Sequence, residues 1–218
     1  LDVHPPHQTI HTWRDFFIHL ITITIGLFIA LSLEATVEWF HHRHLVHEAR
    51  ASIRREIEEN RKFAAADLNN IQQDQARIEK DIQALVALRG GAKLEHASLK
   101  YSIDWEGLSD SAWGTAQSTG AINYMDYQST QGLTSLYVQQ RIVSDRSLTV
   151  FDAQSRAIAP VFFTGDPNLM SKDEIQIVLL RSADVLLDLR ALAQLLKELD
   201  EQFAVELHSD AAGDKEQR

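Results

Sequence analysis

Histidines are the residues in this chain best suited to metal or proton chemistry, and they fall mostly into two sets near the amino terminus. His41, His44 and His47 recur every three residues, which puts neighbouring imidazoles on one helix face, and Glu48 follows His44 by four. Imidazoles so spaced bind zinc, copper or nickel when another segment completes the ligand set. There is no HExxH, and no second ligand cluster stands at an obvious structural position. The plainer reading of His41, His42, His44 and His47 is an interfacial basic patch shared with Arg43 and Trp39. His4, His7 and His11 form the other set, which Pro5 and Pro6 keep from being helical throughout. His19 stands alone inside an apolar run, where an imidazole serves as an axial ligand to haem or another porphyrin or as a hydrogen bond between helices. One isolated histidine specifies neither. No cofactor is therefore predicted, with a porphyrin or a transition metal as the alternatives.

Other routes to chemistry are thin. The chain has 218 residues and no cysteine, which excludes thiol catalysis, thiolate metal sites, disulfides and CxxCH haem attachment. The hydroxyl-rich segment SDSAWGTAQSTGAINYMDY holds no GxSxG and no glycine-rich phosphate loop. Asp110 and Asp126 do not make a catalytic pair by spacing, and Trp113, Tyr124, Met125 and Tyr127 read as core or cap residues. Lys plus Arg is 21 against 31 Asp plus Glu, a formal net charge of -10, which argues against nucleic acid as the partner. The sequence predicts no catalytic site and no small-molecule substrate.

What must position these residues is mostly helix. Phe16 to Phe40 reads FFIHLITITIGLFIALSLEATVEWF, and its first eighteen residues hold one ionisable group, His19. Roughly 20 apolar residues span a bilayer's hydrocarbon, so residues 16–40 are expected to be a single transmembrane helix. The run exceeds a signal peptide's apolar core, and no small-residue cleavage cassette follows it. Trp13, Arg14, Trp39 and Arg43 bracket it as interfacial residues do. Gly26 and Ala30 form a small-xxx-small contact face, and Glu34 and Glu38 are expected to meet a partner or a boundary rather than carry protons. Arg43, Arg50, Arg54 and Arg55 outnumber Arg14, which by the positive-inside rule puts the carboxyl-terminal domain in the cytoplasm.

Beyond a flank at 1–15 and the span at 16–40, a charged helical stalk is expected over 41–90. Ile57, Ala64, Ile71, Ile78 and Leu85 recur every seven residues, and Ile53, Asn60, Leu68 and Ile82 fill the alternate seam, with Gln75 polar. Arg89-Gly90-Gly91 ends this helix. Residues 91–108 read as a connector, with Leu99, Tyr101, Ile103 and Trp105 alternating as in a short extended segment. A helical bundle region is expected over 109–207, its stripes carried by Leu133, Leu136, Tyr137, Gln140, Val143, Val150, Phe151, Gln154 and Ile158, then by Ile175, Leu179, Ser182, Leu186, Leu189, Ala193, Leu196 and Phe203. Ser171 and Glu174 form a capping box at the start of the last helix, and 208–218 reads as a flexible tail. The fold class is all-α: one transmembrane helix continuing into a long amphipathic helix, with a small extramembrane bundle. Heptad spacing also permits a coiled coil between subunits, with Asn60 and Gln75 as register markers.

The stretch ITIGLFIALSLEATVEWFHHRHLVHEARASIRREIEENR resembles the start of a poorly characterised bacterial class of single-span membrane proteins, in which an IGLxIAL-like helix runs into a charged stalk and a helical domain. SDSAWGTAQSTGAINYMDY, with Trp113, Gly120 and Met125, resembles the latter half of such proteins. The resemblance implies a bacterial inner-membrane location with the domain outside, opposite to the arginine count, and carries no reaction with it. The expectation is a non-catalytic accessory or scaffold subunit whose partners are the lipid bilayer and either its own copies or a larger membrane complex. The rivals are a transmembrane sensor or signalling adaptor, and a metal- or porphyrin-binding membrane subunit.

Overall fold

A computed structural model describes residues 13–94 and 104–216, with side chains as far as Ser209. His4, His7, His11 and residues 99–103 of the expected extended segment lie outside them. Every regular element among the described residues is helical: α1 (Trp13–Arg89), α2 (Ser111–Ser118), a 3-10 turn (Ala121–Tyr124), α3 (Tyr127–Thr164), a second 3-10 turn (Pro167–Leu169) and α4 (Lys172–Glu216). The chain divides into two units, Leu1–Glu48 and Ala49–Arg218.

The first unit is the amino-terminal part of α1, long and apolar enough by length and composition to cross a membrane, with none of its most apolar window buried. Its hydroxyls turn inward on their own helix. Thr22, Thr24, Ser32 and Thr36 each donate to the carbonyl four residues back, at 2.7–2.8 Å. A hydroxyl satisfied this way presents mainly its methyl or methylene group outward, which suits an apolar surrounding.

The second unit is a three-helix bundle. From Ala49 onward, the stretch expected as a stalk forms one of its walls. Ile57, Ala64, Ile71, Ile78 and Leu85 are all buried, as the seven-residue spacing requires. Hydrogen bonds from Arg50 to Asp126, from the Tyr137 hydroxyl to Glu56 and from Asn60 to Gln140 set α3 parallel to α1. Pairs Arg89–Gln176, Glu79–Arg190 and Arg61–Asp200 set α4 antiparallel to it. Two parallel helices need a connection that returns along their length. Leu94 bonds Asn168 near the end of α1, Asp104 accepts from Asn70, and Ser109 meets Asn60 nearly three turns earlier still.

Local signals fix the ends. Gly91, with φ 94, closes α1, where a left-handed residue lets the last carbonyls find donors, among them Ala92 N–H to Ala87 O at 3.1 Å. Ser171 and Glu174 form the expected capping box: Ser171 N–H donates to Glu174 Oε2 at 2.8 Å, and Glu174 N–H to Ser171 Oγ at 3.3 Å. These bonds to Ser171 hold the Glu174 carboxyl below its usual range. Pro160 interrupts the hydrogen bonding of α3. A proline has no N–H for the carbonyl four residues before it. That carbonyl, Arg156 O, accepts instead from Arg181 Nη1 of α4 at 2.7 Å. α4 runs as helix to Glu216, through most of the expected tail.

Between α3 and α4 the apolar stripes read from the sequence meet. Leu133, Leu136, Val143 and Val150 on α3, and Ile175, Leu179, Leu186, Leu189, Ala193, Leu196 and Phe203 on α4, are buried. Phe151 and Ile158 are half-buried at the edge. The α3 and α4 backbones come within 8 Å of each other along this hairpin, whereas α1 makes at most isolated approaches of that kind.

Candidate functional site

The residues singled out for chemistry in the amino-terminal unit do not converge. His19 Nδ1 lies 2.7 Å from the carbonyl oxygen of Asp15, so Nδ1 carries the proton and donates it. His41 and His42 place their rings 6.0 Å apart, and His44 Nε2 is 3.2 Å from Glu48 Oε1, four residues on. His47 is exposed on the same helix. Among the described residues, no group of three or more His, Asp or Glu side chains is placed to hold a metal ion. The bracketing residues take up aromatic and cationic contacts: Trp13 packs with Phe16 and Phe17 at ring separations of 6.0 and 5.8 Å, Trp39 meets Phe40 at 5.0 Å, and the Arg43 guanidinium lies 5.3 Å over the Trp39 ring. Arg14 is exposed, as are Glu34 and Glu38, and Gly26 and Ala30 face outward with nothing packed on Gly26.

The polar side chains that do converge lie in the bundle. Glu56, Asn60, Asp67 and Asp74 on α1 are buried, and so are Gln140, Ser147 and Gln154 on α3. Counting in sevens from Ile53 gives Asn60, Asp67, Asp74, Asp81 and Leu88. The alternate seam therefore carries carboxylates where Leu68, Gln75 and Ile82 had been expected; those three are half-buried beside it.

The upper part of this seam grips the returning chain. Asn60 Nδ2 donates to Ser109 O at 2.7 Å, and Ser109 N–H donates back to Asn60 Oδ1 at 2.9 Å. Gln140 Nε2 joins at the same carbonyl at 2.8 Å and its Oε1 accepts from Asn60 at 3.0 Å. Asn60 is thus consumed within its own bundle rather than marking register between subunits. Asp67 Oδ1 accepts from Glu106 N–H at 2.9 Å.

Glu56 does the most. Its carboxylate accepts from Ala112 N–H at 2.8 Å, from the Ser109 and Ser111 hydroxyls at 2.9 and 3.0 Å, and from the Tyr137 hydroxyl at 2.7 Å. The residue at the N-cap of α2, Asp110, makes no side-chain cap bond. Glu56 supplies the acceptor from another helix, where the first turn's free N–H groups and the helix dipole favour an anion. Trp113 stacks on Tyr137 at 5.3 Å and 6°. Burial first, then the Glu56 carboxylate, pushes the Tyr137 hydroxyl well above its ordinary range. Trp113 and Met125 are core residues as expected, but Tyr124 and Tyr127 are exposed. Asp126 caps α3 by accepting from Ser129 N–H at 2.8 Å and pairs with Arg50 at 2.6 Å. The Ser129 bonds, then Arg50, hold its carboxyl below the usual range.

Lower down, the seam is less well satisfied. Asp74 pairs with Arg77, but the Oδ2 atoms of Asp67, Asp74 and Asp81 and the Nε2 of Gln154 are buried without a hydrogen-bond partner. Burial raises all three carboxyls, Asp81 to about 6.

These features define an all-α protein with one long apolar amino-terminal helix and a small bundle in which α1 buries an apolar seam and a polar one side by side. No family model matches the chain, and no curated protein or solved structure matches it.

Proposed function

We propose that this chain is a non-catalytic accessory or scaffold subunit of a membrane protein complex, anchored by residues 16–40 as a single transmembrane helix. The observation that carries the reading is the exposure of the whole apolar run from Phe16 to Phe40 on a helix whose hydroxyls are bonded to their own backbone. A soluble helix so composed would bury a stripe of it. Bilayer insertion accounts for the exposure without further elements. Trp13 and Trp39 then lie near the two interfaces, with Arg14 and Arg43 beside them.

The partner-binding half of the reading is supported by apolar groups left on the surface of the bundle. Phe162 and Phe163 are 80% and 87% exposed at the end of α3, and Leu169 is 74% exposed across the turn. The Phe162 and Phe163 rings lie 6.2 Å apart, and large apolar side chains grouped on a surface mark protein or membrane contacts. A bacterial inner-membrane location follows the resemblance of ITIGLFIALSLEATVEWF to single-span proteins, and it remains part of the proposal. So does the side of the bundle, for which the arginine count favours the cytoplasm and the resemblance the periplasm.

The test is purification from native membranes in mild detergent, with mass spectrometry of everything recovered at constant ratio. Retention in membranes through alkaline carbonate washing supports the anchor, and release overturns it. A stoichiometric larger complex supports the accessory reading, and a homo-oligomer supports a self-contained scaffold. A monomer without partners overturns both.

A second reading, a sensor or signalling adaptor, is favoured by the line of buried carboxylates that runs beside the apolar seam of α1 and weakens its attachment to the α3–α4 hairpin. Ligand-dependent changes in crosslinking along residues 45–88 would distinguish it.

A further inference from the structure

Three aspartates occupy successive heptads of one of the two seams by which α1 faces its own bundle, beside the apolar one. Continuing the Asn60–Gln140 pairing in steps of seven puts Ser147 level with Asp67 and Gln154 level with Asp74. A seam of this kind is ordinarily apolar, because a buried carboxylate that lacks a full set of donors loses its hydration without replacement. Here each of the three carboxyl groups keeps one buried oxygen, Oδ2, without a donor, and Gln154 Nε2 is a buried donor without an acceptor. The same wall of the bundle is the one whose backbone stands off from the other two helices.

The charged groups acting on the column are few. From α1 itself, Arg77 pairs with Asp74 and attracts Asp81. From the returning chain, Asp104 repels Asp74 and Glu106 repels Asp67. In the matching layers α3 presents the neutral Ser147 and Gln154, while its Arg146 is committed to Asp188 of α4 at 2.6 Å. α4 meets α1 through rim pairs, Arg61–Asp200 and Arg190–Glu79, both at 2.8 Å. One arginine thus serves two of the three carboxylates, and two further acids oppose them.

We propose that the Asp67–Asp74–Asp81 column is a proton-operated latch, which tightens α1 against the α3–α4 hairpin as the pH falls below neutral. Protonation removes a buried charge at all three positions. At Asp67 and Asp74 it also turns an orphaned acceptor into a hydroxyl that can donate to Ser147 Oγ or Gln154 Oε1 in the same layers. Asp81 is level with the apolar Val161 and gains by losing its charge. The direction follows from linkage. A carboxyl raised by burial binds its proton more tightly in the packed state than in the opened one, so packing strengthens as pH falls through the raised value toward the ordinary one. For Asp81, raised from 3.8 to about 6, the equilibrium constant for packing rises about fourfold between pH 7.5 and 5.5. Asp67 and Asp74 add to this in the same direction. The latch is independent of the scaffold reading, since it concerns only the bundle.

The experiment is amide hydrogen exchange of the full chain in detergent micelles at pH 7.5 and 5.5, expressed as protection factors so that intrinsic pH effects cancel. Protection of α1 amides across residues 60–85 is expected to rise at least about fourfold on acidification. In Asp67→Asn/Asp74→Asn/Asp81→Asn it is expected to be high at both values and to change little. Unchanged or falling protection in the parent chain overturns the latch. So does a rise that survives in the triple variant, which would place the titration outside the aspartate column. If the triple variant fails to fold, Asp81→Asn alone is expected to remove about a fourfold share of the rise, and a full rise in that variant also overturns the proposal.

Discussion

Replacing Glu56 by alanine should be the most damaging single change in the bundle that leaves its apolar core formally intact. Three losses add. The first turn of α2 loses the acceptor for Ala112 N–H, worth about 1 kcal/mol as a lost cap. Tyr137 keeps a hydroxyl with its 2.7 Å acceptor removed, in a side chain only 4% exposed, and a buried donor left unpaired costs about 1–3 kcal/mol. Removing the buried methylenes costs about 1 kcal/mol more. The Ser109 and Ser111 hydroxyls can turn to water and add little. The sum is about 4 kcal/mol, against about 1–2 kcal/mol for Glu56→Gln, which keeps one acceptor but presents an amide N–H to a site built from donors. Urea unfolding of the full chain in detergent, followed by circular dichroism, measures both. Adding Tyr137→Phe separates the components: in the Glu56→Ala background it removes the stranded hydroxyl, and the cycle should return a coupling of about 1–2 kcal/mol. A loss below about 1 kcal/mol for Glu56→Ala would refute the reasoning, because it would mean that α2 does not depend on a carboxylate from α1.

Three further outcomes are expected. Arg181→Met should lose about 1 kcal/mol in unfolding measurements, and most of that loss should disappear in a Pro160→Ala background, where residue 160 regains an N–H for the Arg156 carbonyl that Arg181 now serves. Gly114→Ala should raise the thermal midpoint, by up to about 1 kcal/mol in stability, because Gly114 lies inside α2 and an added Cβ meets nothing within 4 Å. Asp126→Ala should lose about 1–2 kcal/mol at pH 7 through the cap of α3. Asp126 is depressed in the folded chain, so its contribution is present above the ordinary carboxyl range and lost as pH falls through the depressed value. Denaturant titrations of parent and variant should therefore differ down to about pH 4 and converge below it.

Where the sequence was legible, it was legible through period. Ile57, Ala64, Ile71, Ile78 and Leu85 are apolar at every step, and the core seam they predict is the one observed. The companion seam was missed by one residue at three steps, because Leu68, Gln75 and Ile82 adjoin Asp67, Asp74 and Asp81. A search for apolar groups slides toward the leucine and isoleucine, and a slip of one residue on a helix is a rotation of about 100°. Strict counting in sevens from Ile53 through Asn60 was the signal that would have found the aspartates. Of the residues read as core or cap, Trp113 and Met125 are buried while Tyr124 and Tyr127 are exposed where the chain enters α3, because aromatic type alone does not say which side faces the core.

The sequence alone determined what depends on neighbours along the chain: the apolar helix of residues 16–40, the stop at Gly91, the Ser171–Glu174 capping box and the apolar stripes of α3 and α4. Each is decided by side chains within a turn or two of one another, so no distant contact is needed to specify it. Only the tertiary structure decided what the polar residues of α1 are for. That Glu56 caps a helix 56 residues downstream at Ala112, that Asn60 holds Ser109, and that Asp67, Asp74 and Asp81 face a bundle with too few donors all follow from setting α3 parallel to α1. A parallel pair forces the connecting chain back along the seam, and its backbone N–H groups, which have no helical partners there, are what the first carboxylates satisfy and the last do not.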